Sequence, residues 1–124
     1  MIRYCLLIFC CFLAEISIGQ TQLEMNQEAK NDFQKSEKKL NAMYQNVLRK
    51  HKTDQTFLKN LKNAQRIWTQ FRDAEMKAKY PDREEGYYGS IHPMCWFGYM
   101  KELTDERIAK LKVWLEKKSE GEAC

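Results

Sequence analysis

The stretch AQRIWTQFRDAE, residues 64–75, places polar side chains along the apolar stripe of a helix. The members of this stripe are separated by four, three, four and three positions: Leu61, Gln65, Trp68, Arg72 and Glu75. Residues at these spacings share one helix face. A buried amide or guanidinium without a partner costs about 1–3 kcal/mol or more. The stretch therefore predicts polar packing between helices.

Two other segments show the same arrangement. Asn41 follows Leu40 in LNAMY, and Arg107 is four residues from both Leu103 and Leu111 in LTDERIAKL. We expect these inward polar groups to meet acids between helices, with the Trp68 ring stacked on a guanidinium. The predicted structural network comprises Asn41, Gln65, Trp68, Arg72, Asp73 and Arg107. Catalysis is disfavoured, because this set lacks a histidine base, a nucleophile and an isolated carboxylate pair.

Apolar side chains recur at helical spacing in three segments, at residues 25–48, about 54–79 and about 93–118. Thr53 or Asp54 is the candidate cap of the second helix, and Ser90 that of the third. Thr104 with Asp105 and Glu106 resembles a second helix start, which leaves open a bend or split of the third helix near Thr104. No segment alternates like a strand. The sequence predicts an all-α bundle of three amphipathic helices, with one long loop between helices two and three.

The N-terminal stretch MIRYCLLIFCCFLAEISIG has the pattern of a signal peptide. Arg3 provides the early positive charge, an apolar run follows, and small residues end the stretch. Ser17 and Gly19 suit the positions before a cleavage site. We therefore expect residues 1–19 to be a signal peptide and residues 20–124 to form the exported domain, periplasmic or extracellular. An uncleaved membrane anchor is the alternative, although the apolar run is shorter than the ~20 residues of a spanning helix.

Charge patterning argues against nucleic-acid binding. The chain carries a net charge of +4, and its acids and bases are interleaved, as on solvated helix surfaces. The densest basic run, RKHK at residues 49–52, suits a helix C-terminus, where cations oppose the helix dipole. Export from the cytoplasm is a second argument against nucleic-acid binding.

Cysteines and histidines give no metal or disulfide signature. Export would leave Cys95 and Cys124, which the third helix holds too far apart to pair, so each is predicted to be free or bonded to another chain. The sequence leaves the oligomeric state open. His51 and His92 fall in separate loops, and we expect exposed imidazoles and no bound metal.

The long loop, YPDREEGYYGSIHP at residues 80–93, contains both prolines and two of the five glycines. Acids and tyrosines are concentrated on it: Asp82, Glu84, Glu85, Tyr87 and Tyr88. Tyrosines supply large contact area at low entropic cost. These five residues are the predicted partner-binding loop. In the alternative interpretation, one or both tyrosines cover the open end of the bundle.

Five motifs, in this order and spacing, resemble the LprI-type lysozyme-inhibitor family: TQLEMNQEA, KSEKKLNAMY, LKNAQRIWTQFRDAE, GSIHPM and LTDERIAKL. The most specific pattern combines Gln65, Trp68, Arg72, Asp73 and Ala74 with Leu103, Thr104 and Arg107. The resemblance implies a small exported helical domain without enzymatic activity or cofactor. Many relatives carry cysteines that would align near Glu28, Met76 and Tyr99. The resemblance implies that Met76 packs near Tyr99 in place of a bridge.

Two functions are compatible with these observations. The first is inhibition of a lysozyme or another cell-wall hydrolase, a protein partner bound through the loop. The second is an envelope interaction or structural module without inhibitory activity. Many lysozymes are strongly basic, so a chain of charge +4 gains no long-range attraction to them. An inhibitor would have to rely on the local acids of the loop.

Overall fold

The computed structural model describes residues 2–116, with side chains from Thr21 onward. It contains the helices α1 (Ile2–Lys50), α2 (Gln55–Lys79) and α3 (His92–Val113). No strand occurs within residues 2–116. The prediction of an all-α bundle with three helices and one long loop is confirmed.

The direction of the helices follows from the side chains that they bring together. Contacts between α1 and α3 advance together along both helices, from Ser36 with Asp105 to Lys50 with Leu115. Contacts between α2 and the α3 segment run in opposite order, from Phe57 with Trp114 through Gln65 with Arg107 to Glu75 with Tyr99. Helices α1 and α3 are therefore parallel, and α2 is antiparallel to both. The closest backbone packing is between α1 and α3.

The hydrophobic core lies at the end of the bundle away from the long loop. It consists of five buried aliphatic side chains: Leu40, Val47, Leu61, Ile108 and Leu111. Half-buried neighbours extend it: Met43, Tyr44, Leu48, Phe57, Trp68 and Leu115. Each large apolar side chain that is fully buried contributes about 1.5–3 kcal/mol of transfer free energy. All three helices supply members, so this cluster fixes their relative positions.

One predicted helix cap is confirmed, another is wrong, and α3 is continuous through Thr104. Asp54 caps α2, because its side chain accepts a hydrogen bond from the Phe57 amide at 2.9 Å. The predicted Ser90 cap is wrong: α3 begins after Ile91 without a side-chain cap, and the Ser90 carbonyl accepts from Asn26 Nδ2 instead. No split occurs at Thr104, whose hydroxyl donates to the Met100 carbonyl one turn earlier.

Two apolar residues of α2 lie outside the buried face. Ala64 and Phe71 belong to the apolar periodicity of residues 54–79, but both are exposed, Phe71 by 54%. Arg72 takes the inward position. Phe71, one residue earlier, is offset from it by about 100° around the helix axis and therefore points toward solvent. The outer side of α2 is consequently apolar at these positions.

Helix α1 extends beyond the region where the apolar periodicity starts. The helix begins at Ile2, whereas the periodic pattern begins at Met25. Cleavage after Gly19 stays a prediction. A search of the described residues finds no helix that combines the length and apolar character needed to span a membrane.

Candidate functional site

Four residues of the predicted polar network meet between α2 and α3. Arg107 donates from Nε to Gln65 Oε1 at 2.9 Å. The Trp68 ring lies near two guanidinium groups, with its centroid 5.1 Å from the guanidinium carbon of Arg72 and 5.9 Å from that of Arg107. Both distances suit cation–π attraction. The structure thus brings Gln65, Trp68, Arg72 and Arg107 together.

The carboxylate partner of Arg72 comes from α1. Arg72 donates from Nη1 to Glu37 Oε1 at 2.6 Å, and the Thr104 hydroxyl lies 3.4 Å from the same oxygen. The Arg72 side chain is only 11% exposed. The predicted partner Asp73 is peripheral: it is exposed, and its carboxylate is 3.6 Å from Arg72 Nε, which has no hydrogen bond within the described residues. Sequence reasoning missed Glu37, although it is three residues before Leu40 on the buried side of α1.

Asn41 does not belong to the network, so this part of the prediction is wrong. It is exposed, because the buried line of α1 passes through Ser36, Leu40 and Val47, and Asn41 is rotated about 100° from Leu40. Ser36 of α1 is buried beside Glu37, and its hydroxyl donates to Asp105 Oδ1 at 2.8 Å. A serine among charged residues carried no sequence signal for this role.

Ionisation at the network follows from burial and hydrogen bonding. Burial lowers the pKa of Arg107 below its ordinary value. Burial alone would raise the pKa of Asp105, but hydrogen bonds from Lys101 and Ser36 outweigh it and lower this pKa. Both groups are charged at neutral pH. The network is therefore a set of fixed charges that hold the helices.

Tyr88 covers the end of the bundle, as the alternative interpretation of the loop expected. Its hydroxyl donates to the Pro81 carbonyl at 2.7 Å, and its ring stacks on His92 with centroids 4.5 Å apart. Tyr80 meets Tyr88 edge to face at 5.8 Å, and Trp96 lies against His92 at 5.8 Å. His92 is therefore packed in an aromatic cluster, and the prediction of an exposed imidazole is wrong.

The other predicted loop residues face solvent. Asp82, Glu84 and Glu85 are exposed, and Tyr87 is 65% exposed. Sequence reasoning missed Arg83, whose guanidinium carbon lies 5.5 Å from the centre of the Tyr87 ring. The loop thus presents three acids and an arginine-stacked tyrosine.

Two successive turns shape this loop. The Tyr87 amide donates to the Glu84 carbonyl at 3.1 Å, and the Gly89 amide donates to the Gly86 carbonyl at 3.0 Å. Gly86 and Gly89 have φ angles of 81° and 70°, which side chains with a Cβ rarely adopt. The glycines therefore allow a compact loop that places Tyr87 outside and Tyr88 inside.

His51 lies at the opposite end of the bundle. Its Nε2 is 2.9 Å from the Trp114 carbonyl, and its ring centroid is 4.2 Å from that of Phe57. The expected exposed imidazole is again packed, here because α1 ends beside the C-terminus of α3. No cluster of three or more potential metal ligands occurs in the described part of the chain.

The structure describes one of the two cysteines for which a state was predicted. Cys95 is a free, half-buried thiol, whereas Cys124 lies outside the described residues. Met76 is buried and lines a shallow depression with Trp96 and Met100. The Tyr99 hydroxyl donates to Glu75 Oε1 at 3.0 Å. Packing of Met76 near Tyr99 in place of a bridge stays a prediction.

Comparison with known proteins identifies the family. The family model described as lysozyme inhibitor LprI matches residues 16–111, which include all of α2, the loop and the polar network. Neither the curated proteins nor the solved structures give a significant match. Because the family match covers most of the sequence, the chain belongs to the LprI lysozyme inhibitor family.

Proposed function

We propose that the chain is an exported, non-enzymatic protein that inhibits a lysozyme or another cell-wall hydrolase by placing the loop of residues 82–90 at the substrate cleft. The family match supports the class of partner. The observation that carries the choice of surface is Tyr87, an exposed aromatic residue on a loop that Tyr88 fastens to the bundle. Large aromatic side chains are common among the residues that dominate binding energy.

The fixed conformation of the loop favours this role. Binding by a mobile loop loses about 0.5–1.5 kcal/mol for each side chain that becomes ordered. Here the Tyr88 hydroxyl bond, the stacking on His92 and the two turns hold the loop before any partner arrives. Asn26 of α1 adds a hydrogen bond to the Ser90 carbonyl at 2.9 Å. Tyr87 is thus presented at little entropic cost.

The charges of the loop suit a basic hydrolase with an acidic cleft. Asp82, Glu84 and Glu85 form a local negative surface that attracts a basic enzyme, although the whole chain has a net charge of +4. Glycoside hydrolases carry two catalytic carboxylates in their clefts. Arg83, stacked over the Tyr87 ring, is the one loop cation suited to pair with such a carboxylate. Acids would guide the encounter, and Arg83 and Tyr87 would occupy the cleft.

A turbidity assay on a cell-wall suspension tests the proposal. Purified protein in stoichiometric excess should slow clearing by the lysozyme, and Tyr87→Ala should weaken inhibition at least about tenfold, a loss of about 1.4 kcal/mol. Phe71→Ala is the matched control, because Phe71 is also an exposed aromatic residue but lies on α2. If the two variants inhibit equally well, or if wild-type protein never slows lysis, the proposal fails.

The acids and Arg83 make separate contributions that kinetics can distinguish. Replacing Glu84 and Glu85 together by glutamine should slow association and reduce its dependence on salt, because exposed charges act mainly on the encounter. Arg83→Gln should instead speed dissociation, because its charge is expected to be buried in the complex. Surface plasmon resonance with immobilised lysozyme measures both rates.

An envelope interaction or structural module is the second candidate function. Ile67 and Phe71 give α2 an exposed apolar face on the side away from the core. If an envelope partner docks there, affinity capture from an envelope extract should fail with Phe71→Ala and survive Tyr87→Ala. The opposite result favours the loop.

A further inference from the structure

A cavity of about 320 Å³ lies between α2 and α3 at the end of the bundle away from the loop. Its lining is mostly apolar and aromatic: Phe57, Asn60, Leu61, Ala64, Arg107 and Trp114. Phe57 and Trp114 meet edge to face at 5.2 Å and form one wall. Small-molecule sites in proteins have volumes of about 300–1,000 Å³. The cavity is therefore large enough for a small organic molecule.

The single cation in this lining has no counter-charge. Arg107 donates from Nε to the neutral amide of Gln65 and forms no ion pair within residues 21–116. Arg72, the other inward arginine of the network, has the Glu37 carboxylate at 2.6 Å. A guanidinium has five N–H donors, so most of those on Arg107 remain available.

Burial makes an anion favourable at this position. It lowers the pKa of Arg107, which shows that the surroundings disfavour its charge, but a guanidinium stays protonated at neutral pH. The Trp68 ring compensates only in part, with its centroid 5.9 Å away. A carboxylate in the cavity would supply the missing charge and accept two parallel N–H bonds.

We propose that this cavity binds a small organic carboxylate whose aryl or branched aliphatic body packs on Phe57 and Trp114 while its carboxylate pairs with Arg107. Apolar walls with one polar group that fixes orientation are the usual composition of a ligand site. The cavity and the loop of residues 82–90 lie at opposite ends of the bundle and share no residue, so this site is separate from the proposed inhibitory surface.

Nuclear magnetic resonance with two matched probes tests the proposal. 3-Phenylpropionate carries the charge and the aryl group, whereas 3-phenylpropanamide has the same shape without charge. Titration of the purified, ¹⁵N-labelled protein with 3-phenylpropionate should shift the Trp114 indole and Arg107 Nε resonances saturably, with a Kd below about 1 mM. The amide should bind at least about tenfold more weakly, because hydrogen bonds to charged groups are the stronger ones.

Two variants locate the site. Arg107→Gln should remove the preference for the carboxylate over the amide. Because Arg107 also holds Gln65, Ala64→Phe provides a second test that keeps the guanidinium and fills the cavity from its edge. Ala78→Phe is its control, since Ala78 is equally an exposed alanine of α2 but does not line the cavity. Ala64→Phe should abolish binding, and Ala78→Phe should preserve it.

Three results would overturn the proposal. Equal affinity for the two probes would show that Arg107 does not select charge. An absence of saturable shifts at Trp114 would show that the cavity takes no such ligand. Unchanged binding by Ala64→Phe would place the probe elsewhere.

Discussion

Arg72 on α2 and Glu37 on α1 form an ion pair of 2.6 Å that joins two helices with little direct backbone contact. Thr104 of α3 approaches the same Glu37 oxygen at 3.4 Å, so all three helices meet at one carboxylate. This contact lies between the aliphatic core and the aromatic cluster around Tyr88. Together with the Gln65–Arg107 and Glu75–Tyr99 hydrogen bonds, it holds α2 against the other two helices.

Glu37→Gln should lower the free energy of unfolding by about 2 kcal/mol, because Arg72 would keep a nearly buried charge without its counter-charge. Removing one partner of a fully buried ion pair costs about 3–5 kcal/mol. The expected loss here is smaller, because Glu37 is 34% exposed and water partly screens its charge. Urea unfolding measures the change. Asp32→Asn is the isosteric control, because its pair with Lys35 is exposed and should contribute less than about 1 kcal/mol. Equal effects would show that the Arg72 pair does not hold α2.

Periodicity predicted most of the helical framework and the inward polar residues of α2 and α3. Gln65, Arg72 and Arg107 were identifiable because four-and-three spacing relative to leucine and tryptophan fixes a helix face. The Asp54 cap followed from its position before the second apolar run. These features depend on local geometry, which a sequence expresses directly.

The remaining features depend on how the helices dock. Asn41 and Ser36 lie about 140° apart around α1, and packing against α3 decides which side of the helix is buried. Glu37 lies among lysines and acids that all suit a solvated surface. Its role as the partner of Arg72 can be recognised only when the positions of both helices are known. The separation of Tyr87 from Tyr88 depends on two hydrogen-bonded turns, which composition alone does not specify.

Asp105 should make stability sensitive to acid. Its pKa in the folded chain is lowered because hydrogen bonds from Lys101 and Ser36 outweigh the effect of burial. Its stabilising contribution is therefore complete above the ordinary aspartate pKa of about 3.9 and is lost as the pH falls through the lower folded-state value. Asp105→Asn should flatten the fall in unfolding free energy below about pH 4, while its amide oxygen still accepts from Ser36. Urea unfolding at several pH values measures this slope, and an unchanged slope would contradict the assignment.

Met76→Ala should destabilise the protein by about 2–5 kcal/mol, because Met76 is 2% exposed and its removal leaves a cavity beside Trp96 and Met100. Met25→Ala is the control: Met25 is 38% exposed on α1, and its loss should cost less than about 1 kcal/mol. Thermal and urea unfolding compare the two variants. A similar small loss in both would mean that the contact of α2 with the start of α3 contributes little to stability.

Tyr88→Phe should loosen the loop that presents Tyr87. The change removes the hydroxyl bond to the Pro81 carbonyl but retains a ring that can stack on His92, so the expected loss is about 1 kcal/mol. Amide hydrogen exchange gives the local readout, because the Tyr87 and Gly89 amides donate within the two turns. Both should exchange severalfold faster in Tyr88→Phe.

Tyr87→Phe is the matched control for this effect. The Tyr87 ring is exposed and its hydroxyl has no described partner, so amide exchange in the loop should stay at the wild-type rate. If Tyr88→Phe also exchanges at the wild-type rate, the two turns alone hold the loop, and the entropic advantage attributed to Tyr88 is absent. The Tyr88 ring is half-buried at the end of the bundle and offers a partner little surface of its own. If amide exchange rises and lysozyme inhibition weakens together in Tyr88→Phe, Tyr88 therefore contributes to binding by ordering Tyr87.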